Sequence, residues 1–424
     1  MKKIIFTLLY IHFFGFFSAQ ITDTLKISRN EAESVFLNKN LDLIIQKLEI
    51  SQAEAQVVQA KFWPNPTLTV SEVNLWRTYD IEEQPALIGN WGRSSQISAE
   101  IEQVIQTAGK RRKNIELQQL EVEGEKYELQ EVLRELKKLL RNSITEIVYN
   151  QEQQKLYQSQ ISSITKLTKS YNNQLTLGNI SKSEYIRLKA QEMEFKKKLI
   201  SLQQEIEEQQ TELKALLIIP SNSYIIISDP LVKPEREISE LELPRWMETA
   251  QSNRPDILLS KNKEKYAMKN LELQNALKTP DIAVSLNYDR GGNIMKDFIG
   301  VGISVDLPVF DKNKGNIQDA KLEVTKTGYE IRKSVLKSEN EITSVFHNYQ
   351  RTQKISEEID DDYEETLDSL LRSHEKNFRL RNISMLEYMD YLDTYIENKM
   401  IILDTKKELN EYYENLQYVV GQDL

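Results

Sequence analysis

The 424-residue chain has no cysteine, which excludes disulfides, thiolate metal ligands and a lipid attached to an N-terminal cysteine after export. Histidine is nearly absent: beyond the N-terminal segment only His347 and His374 remain. A self-contained zinc site takes about four N or S ligands, or three plus water, so neither a metal site nor a cofactor is expected. An excess of basic charge is missing too, with 55 Lys and Arg against 65 Asp and Glu and a net charge of -10. That balance argues against nucleic acid, which requires a basic footprint. Nucleophile elbow, P-loop, Rossmann glycines and metal motifs are all lacking, so no catalytic residue is nominated and the chain reads as a non-enzyme. Past the N-terminus there is no apolar run of about 20 residues, hence no helix expected to span a membrane. The mean hydropathy of -0.53 does not exclude a β-barrel, because alternating strands carry a weak hydropathy signal.

What is present begins with an export signal. Lys2 and Lys3 precede an almost continuously apolar stretch from Ile4 to Phe17, and Ser18-Ala19 offers small residues for cleavage. The expected signal is 1–19, with a cut after Gln20 as the alternative; losing two lysines takes the net charge from -10 to -12. Proline punctuates the rest. All ten prolines lie between 64 and 308, leaving 86–219 and 309–424 free of them and rich in Glu, Lys, Gln and Leu. Both stretches read as long helices, expected over 110–176, 182–217, 314–379 and 384–420. At 1.5 Å per residue the first runs roughly 100 Å. Leu133, Leu136, Leu140, Ile144 and Ile147 recur at steps of three and four, a single packing stripe.

The chain also repeats itself. Leu177-Gly178-Asn179-Ile180-Ser181-Lys182-Ser183-Glu184-Tyr185 returns as Leu380-Arg381-Asn382-Ile383-Ser384-Met385-Leu386-Glu387-Tyr388, and Lys113-Asn114-Ile115 as Gly315-Asn316-Ile317. Two copies of about 200 residues are too few and too long for a solenoid, so a duplicated half is expected: 20–219 and 245–424, joined by a proline-rich linker at 220–244. Each half holds two alternating segments, expected as strands over 67–76, 95–105, 281–288 and 298–307, each of the length a tilted membrane strand needs. Loops at 77–94 and 289–297 separate them. Four strands cannot close a barrel, and lipid does not tolerate open edges, so several copies are expected to share one.

Several stretches resemble the TolC-like outer-membrane efflux factors: Phe62-Trp63-Pro64-Asn65-Pro66-Thr67-Leu68, Glu102-Gln103-Val104-Ile105 leading to Gly109-Lys110-Arg111-Arg112, and Val301-Gly302-Ile303-Ser304-Val305-Asp306-Leu307-Pro308-Val309-Phe310-Asp311-Lys312-Asn313-Lys314-Gly315. Together they look most like the heavy-metal branch (cobalt-zinc-cadmium and copper-silver). The resemblance covers essentially the whole chain after the signal. It implies a mainly α fold with a small β part: long antiparallel helices forming a periplasmic tunnel, and four membrane strands per protomer in a twelve-stranded barrel shared by a homotrimer. It also implies an outer-membrane location in a Gram-negative bacterium, a periplasmic adaptor, and an inner-membrane pump of the resistance-nodulation-division type. The rival from another class is a periplasmic coiled-coil adaptor or scaffold, expected to show one helical hairpin between compact β domains.

Three groups of residues follow from the resemblance and the charge pattern. Glu387 and Asp390, at i and i+3 on one helix face, align with the acidic pair lining the family's closed pore, and Arg381 is their candidate partner across protomers. Glu387 also completes a capping box with Ser384, as Glu184 does with Ser181, so cap and gate compete for one carboxylate. The turns Leu177, Gly178, Asn179, Ile180, Ser181 and Leu380, Asn382, Ile383, Ser384 are the expected adaptor contacts. Gly178 suits a positive-φ turn and Arg381 does not, so the two turns are expected to differ. Lys110, Arg111, Arg112, Lys113, Lys312 and Lys314 form a basic girdle for lipid phosphates, the alternative being a solvated ring. Seven acids between Glu357 and Glu365 read as a solvated face or a tunnel lining. Met385 and Met389 read as helix packing before soft-metal transfer, and Trp63, Trp76 and Trp91 as interfacial aromatics.

Overall fold

Most of the two proline-free stretches folds as helices. The computed structural model describes residues 23–73, 85–86, 96–234, 238–291, 295–359 and 361–423. The expected signal, Trp76, Trp91 and most of the loop at 77–94 lie outside them. The elements are β1 (Asp23–Ile27), α1 (Arg29–Lys39), α2 (Leu41–Ala60), β2 (Thr67–Ser71), β3 (Ser98–Ile105), α3 (Lys110–Thr176), α4 (Lys182–Leu217), β4 (Ser223–Ile227), α5 (Leu243–Asn253), α6 (Pro255–Ala276), β5 (Ile282–Gly291), β6 (Lys296–Val305), α7 (Lys314–Glu358), α8 (Asp361–Arg379) and α9 (Met385–Val420). No helix among the described residues is long and apolar enough to cross a membrane.

Two compact units are present, and each draws on both sequence repeats. One comprises 42–134, 240–344 and 419–424. Its sheet is antiparallel in the order β2-β3-β5-β6, so the hairpins of the two halves meet through β3 and β5, Ile101 opposite Leu286. Its helical part is anchored by Arg254, which is 1% exposed. The Arg254 guanidinium donates to Asp256 at 2.7 Å, Glu341 at 2.8 Å and the Val419 carbonyl at 3.1 Å. A Cβ on Gly421, whose φ is +81°, would lie 3.2 Å from the Arg254 backbone.

The other unit comprises 1–41, 135–239 and 345–418. Leu140, Ile144 and Ile147 of the predicted stripe are buried in it. Towards the 178 and 381 turns, α3, α4, α8 and α9 share one core of Tyr157, Ile164, Leu188, Phe195, Leu202, Leu367, Phe378, Met385, Tyr388 and Leu392. Met385 is therefore a core residue and Met389 packs beside it. His374 stacks on Tyr391 at 3.9 Å, which explains that histidine without a metal.

Two expectations need correction here. The linker at 220–244 contains β4, paired in parallel with β1 from Asp23 opposite Ser223 to Ile27 opposite Ile227. The helix expected over 314–379 is two helices, α7 ending at Glu358 and α8 starting at Asp361. Asp362 and Glu364 fall in the first turn of α8, where the helix dipole favours anions, while Glu357 and Glu358 end α7, where it does not.

Candidate functional site: an apolar sheet face and two helical turns

Residues directly opposite in an antiparallel sheet share a face, so the register sorts the side chains. Leu68, Ile101, Leu286 and Val301 form one cross-strand row, and Val70, Ala99, Tyr288 and Ile299 another. Val284 with Ile303, and Ile105 with Ile282 and Val305, extend the same face, where Gln103 opposite Val284 is a polar member that donates to the Pro64 carbonyl. It is apolar and open: Val301 is 76% exposed and Ile303 74%. The opposite face carries Thr67, Glu102, Ser285 and Gly302 in one row and Thr69, Glu100, Asn287 and Gly300 in the next. The two glycines make room there. A Cβ on Gly300 would come within 2.4 Å of Asn287 Oδ1, and one on Gly302 within 2.6 Å of Ser285 Oγ. β2 and β6 each have a neighbour on one side only among the described residues.

Where the sheet meets the helices, the predicted basic residues separate. Lys110 is buried and bonds Asp281 at 2.7 Å. Arg111 donates to the Lys61 carbonyl at 2.6 Å and lies 4.4 Å over the Trp63 ring. Lys113 turns back to the Ala108 carbonyl at 3.0 Å, and among the described residues Arg112 is held only by Glu116 at 3.7 Å. Lys312 and Lys314 are exposed. Lys110 is thus committed to the junction, and Arg112, Lys312 and Lys314 are the open cations of the group.

The two helical turns match bond for bond. Asn179 N–H donates to the Gln174 carbonyl and Gly178 N–H to that of Leu175; Asn382 and Arg381 do the same to Asn377 and Phe378. Both are Schellman closures, which place the residue after the helix in the left-handed region. Gly178 has φ +73° and Arg381 φ +58°. The expectation that Arg381 refuses this conformation is therefore overturned: the turn bonds hold it there at a cost of about 1 kcal/mol relative to glycine. Leu177 and Leu380 are exposed at the turns.

Both following helices open with a capping box. Ser384 N–H donates to Glu387 Oε2 at 2.7 Å, and Glu387 N–H to Ser384 Oγ at 3.2 Å; Ser181 and Glu184 repeat the arrangement. The Ser384 amide holds the Glu387 carboxyl below the usual carboxylate range. Asp390 is exposed one turn further on. Among the described residues no ion pair joins Arg381 to either acid.

Sequence reasoning missed Glu192, buried between Thr165 of α3 and Lys189 and Lys196 of its own helix. Burial pushes its carboxyl up, but the two ammonium groups and the Thr165 hydroxyl outweigh burial and bring it down to about 2. Three lysines and two glutamates within eight residues hid this one acid among ordinary surface pairs. Among the described residues there is no group of His, Cys, Asp and Glu fit to hold a metal.

Residues 34–217 match the family model described as outer membrane efflux protein. No curated protein matches the sequence. Among solved structures, the outer membrane protein VceC from Vibrio cholerae is similar with a TM-score of 0.72 at 14% identity, over 93% of this chain and 96% of that one. The Campylobacter jejuni CmeC outer membrane channel gives 0.71 at 14%, over 93% and 86%. CusC gives 0.72 at 15%, over 95% and 94%. The fold is that of these outer-membrane channels: mainly helical, with a small β part.

Proposed function

We propose that the protein is one protomer of an outer-membrane exit duct of a tripartite efflux pump, with its helices in the periplasm of a Gram-negative cell. The observation that carries the reading is the four-stranded sheet, apolar and exposed on one face, polar and glycine-relieved on the other, and open at both edges among the described residues. Lipid accepts such a sheet only when its edges are closed, and three copies supply twelve strands. An adaptor built on one helical hairpin leaves this sheet without a purpose.

On this reading Leu177 to Ser181 and Leu380 to Ser384 meet a periplasmic adaptor that links the duct to an inner-membrane pump of the resistance-nodulation-division type. Glu387 and Asp390 form acidic rings at the closed end, with Arg381 of a neighbouring copy as counter-charge. Arg112, Lys312 and Lys314 face lipid phosphates, with Lys110, Arg111 and Lys113 bracing the junction behind them. Heavy-metal cations as substrate rest on the sequence resemblance of residues 62–68, 102–112 and 301–315 taken together. The deciding measurement is the detergent-corrected mass of the purified protein. Three chains with an intact β signal are expected, whereas a stable single chain carrying that signal overturns the model.

A further inference from the structure

In the unit that holds the sheet, the helices repeat the order of the strands. α2 meets α3 through Arg111 and the Lys61 carbonyl just past its end, α3 meets α6 through the Leu120 carbonyl and Asn262, and α6 meets α7 through Ser260 and Ser334. None of these bonds joins α2 to α7. The order α2-α3-α6-α7 thus follows β2-β3-β5-β6. Among the described residues α2 and α7 end this layer as β2 and β6 end the sheet.

Both end helices carry an apolar stripe turned away from their own chain. On α7, Leu322, Tyr329 and Leu336 recur every seven residues and are exposed, Tyr329 at 69%. Ala320, Thr327, Ser338 and Ile342, on the opposite side of that helix, are buried. On α2, Leu43 and Ala53 are buried, whereas Ile44, Ile45, Leu48 and Val58 are exposed, Leu48 at 57%. At 3.6 residues per turn these four positions lie within about 140° of one another, and exposed Phe62 continues the stripe past the helix end. A helix inside a wall buries two opposite faces, one against each neighbour. An end helix with a second apolar face is therefore prepared for a further neighbour.

The sheet identifies that neighbour. Closing the barrel joins β2 of one copy to β6 of the next. α2 enters β2 through the six residues 61–66, and β6 leaves for α7 through the eight residues 306–313. Connections this short keep a helix close to its strand, so the joined strands bring the two stripes together. Leu307, Val309 and Phe310 are exposed in the second connection and continue its apolar character from sheet to helix. We infer that α2 of one copy packs antiparallel against α7 of the next through these stripes, so that the contact between copies runs from the sheet into the helical wall. The inference rests on the shared barrel proposed above and adds the surfaces on which the helices of neighbouring copies meet.

The absence of native cysteine makes the test direct. Closing a barrel staggers its strands by a fixed shear, so Leu48→Cys is combined in turn with Leu322→Cys, Tyr329→Cys and Leu336→Cys in the full chain. Each double variant is treated in outer membranes with a short bifunctional thiol reagent. At least one pair is expected to give products at two and three chain masses, with none from the single variants. Products confined to one chain mass make the contact internal and overturn the seam. No product from any pair, in a protein that still runs as a trimer, overturns it too and leaves the duct reading standing. A parent protein that runs as a monomer with its β signal intact defeats the duct reading itself, and the inference with it. As a second arm, Tyr329→Glu and Leu336→Glu change side chains that are exposed in their own chain. Each is expected to keep the helical circular dichroism of the parent while lowering the temperature at which the trimer dissociates. An unchanged dissociation temperature removes α7 from the seam.

Discussion

Glu192 shows how one buried acid depends on its neighbours. Its carboxyl is held near 2 by Lys196, Lys189 and the Thr165 hydroxyl against the opposing effect of burial, whereas an unfolded glutamate titrates near 4.3. A folded value below the unfolded one contributes stability that is complete above about pH 4.3 and is lost as pH falls towards 2. Glu192→Gln keeps the Thr165 bond and removes the charge, and is expected to destabilise by roughly 2 kcal/mol and to flatten stability over that window, measured by denaturant titration at several pH values. Glu387 is the opposite case, exposed and already engaged with Ser384. Glu387→Gln retains the capping geometry. The double variant Glu387→Gln, Asp390→Asn is therefore expected to fold normally while losing cation preference and divalent block in single-channel recordings. Unchanged selectivity returns both residues to ordinary helix chemistry.

The two turns make a matched pair of experiments at the scale of an element. A Cβ at Gly178 meets nothing within 4 Å, so Gly178→Ala probes backbone strain alone. It is expected to cost about 1 kcal/mol, read as faster amide exchange over 174–185 than in the parent. Arg381→Gly removes the same strain but frees the unfolded chain, so its gain is smaller than that cost. Slower exchange at 377–388 with no change at 174–185 is the expected result. The turns repeat their bonds although one carries glycine and the other arginine, because closure is set by the peptide groups of six residues and not by the side chain at the left-handed position.

At the scale of the whole molecule the duct reading puts the two sheet faces under different demands from a bilayer. Val301→Arg places a charge on the apolar face and is expected to cost roughly 2–4 kcal/mol at mid-bilayer, seen as loss of assembled protein in the outer membrane. Asn287→Arg, on the other face, is expected to assemble normally. Equal effects of the two charges contradict a lipid-facing sheet. Orientation is checked with tags: one near Gly89 is expected to label on intact cells, and one near Gly178 only after the outer membrane is permeabilised.

The sequence by itself determined three of the four long helices, the four alternating strands, the duplication and the two capping boxes. Each of these is written in local signals: proline spacing, period-two alternation, apolar residues at steps of three and four, and Ser-x-x-Glu at fixed offset. Only the tertiary structure decided what depends on distant residues. It paired β3 with β5 across some 180 residues and gave β1 a partner in the proline-rich linker. It closed a positive-φ turn on Arg381, buried Lys110 against Asp281 and picked Glu192 out of a crowd of similar acids. Pairing and burial are properties of the far side of a contact, and no local period encodes which residue stands there.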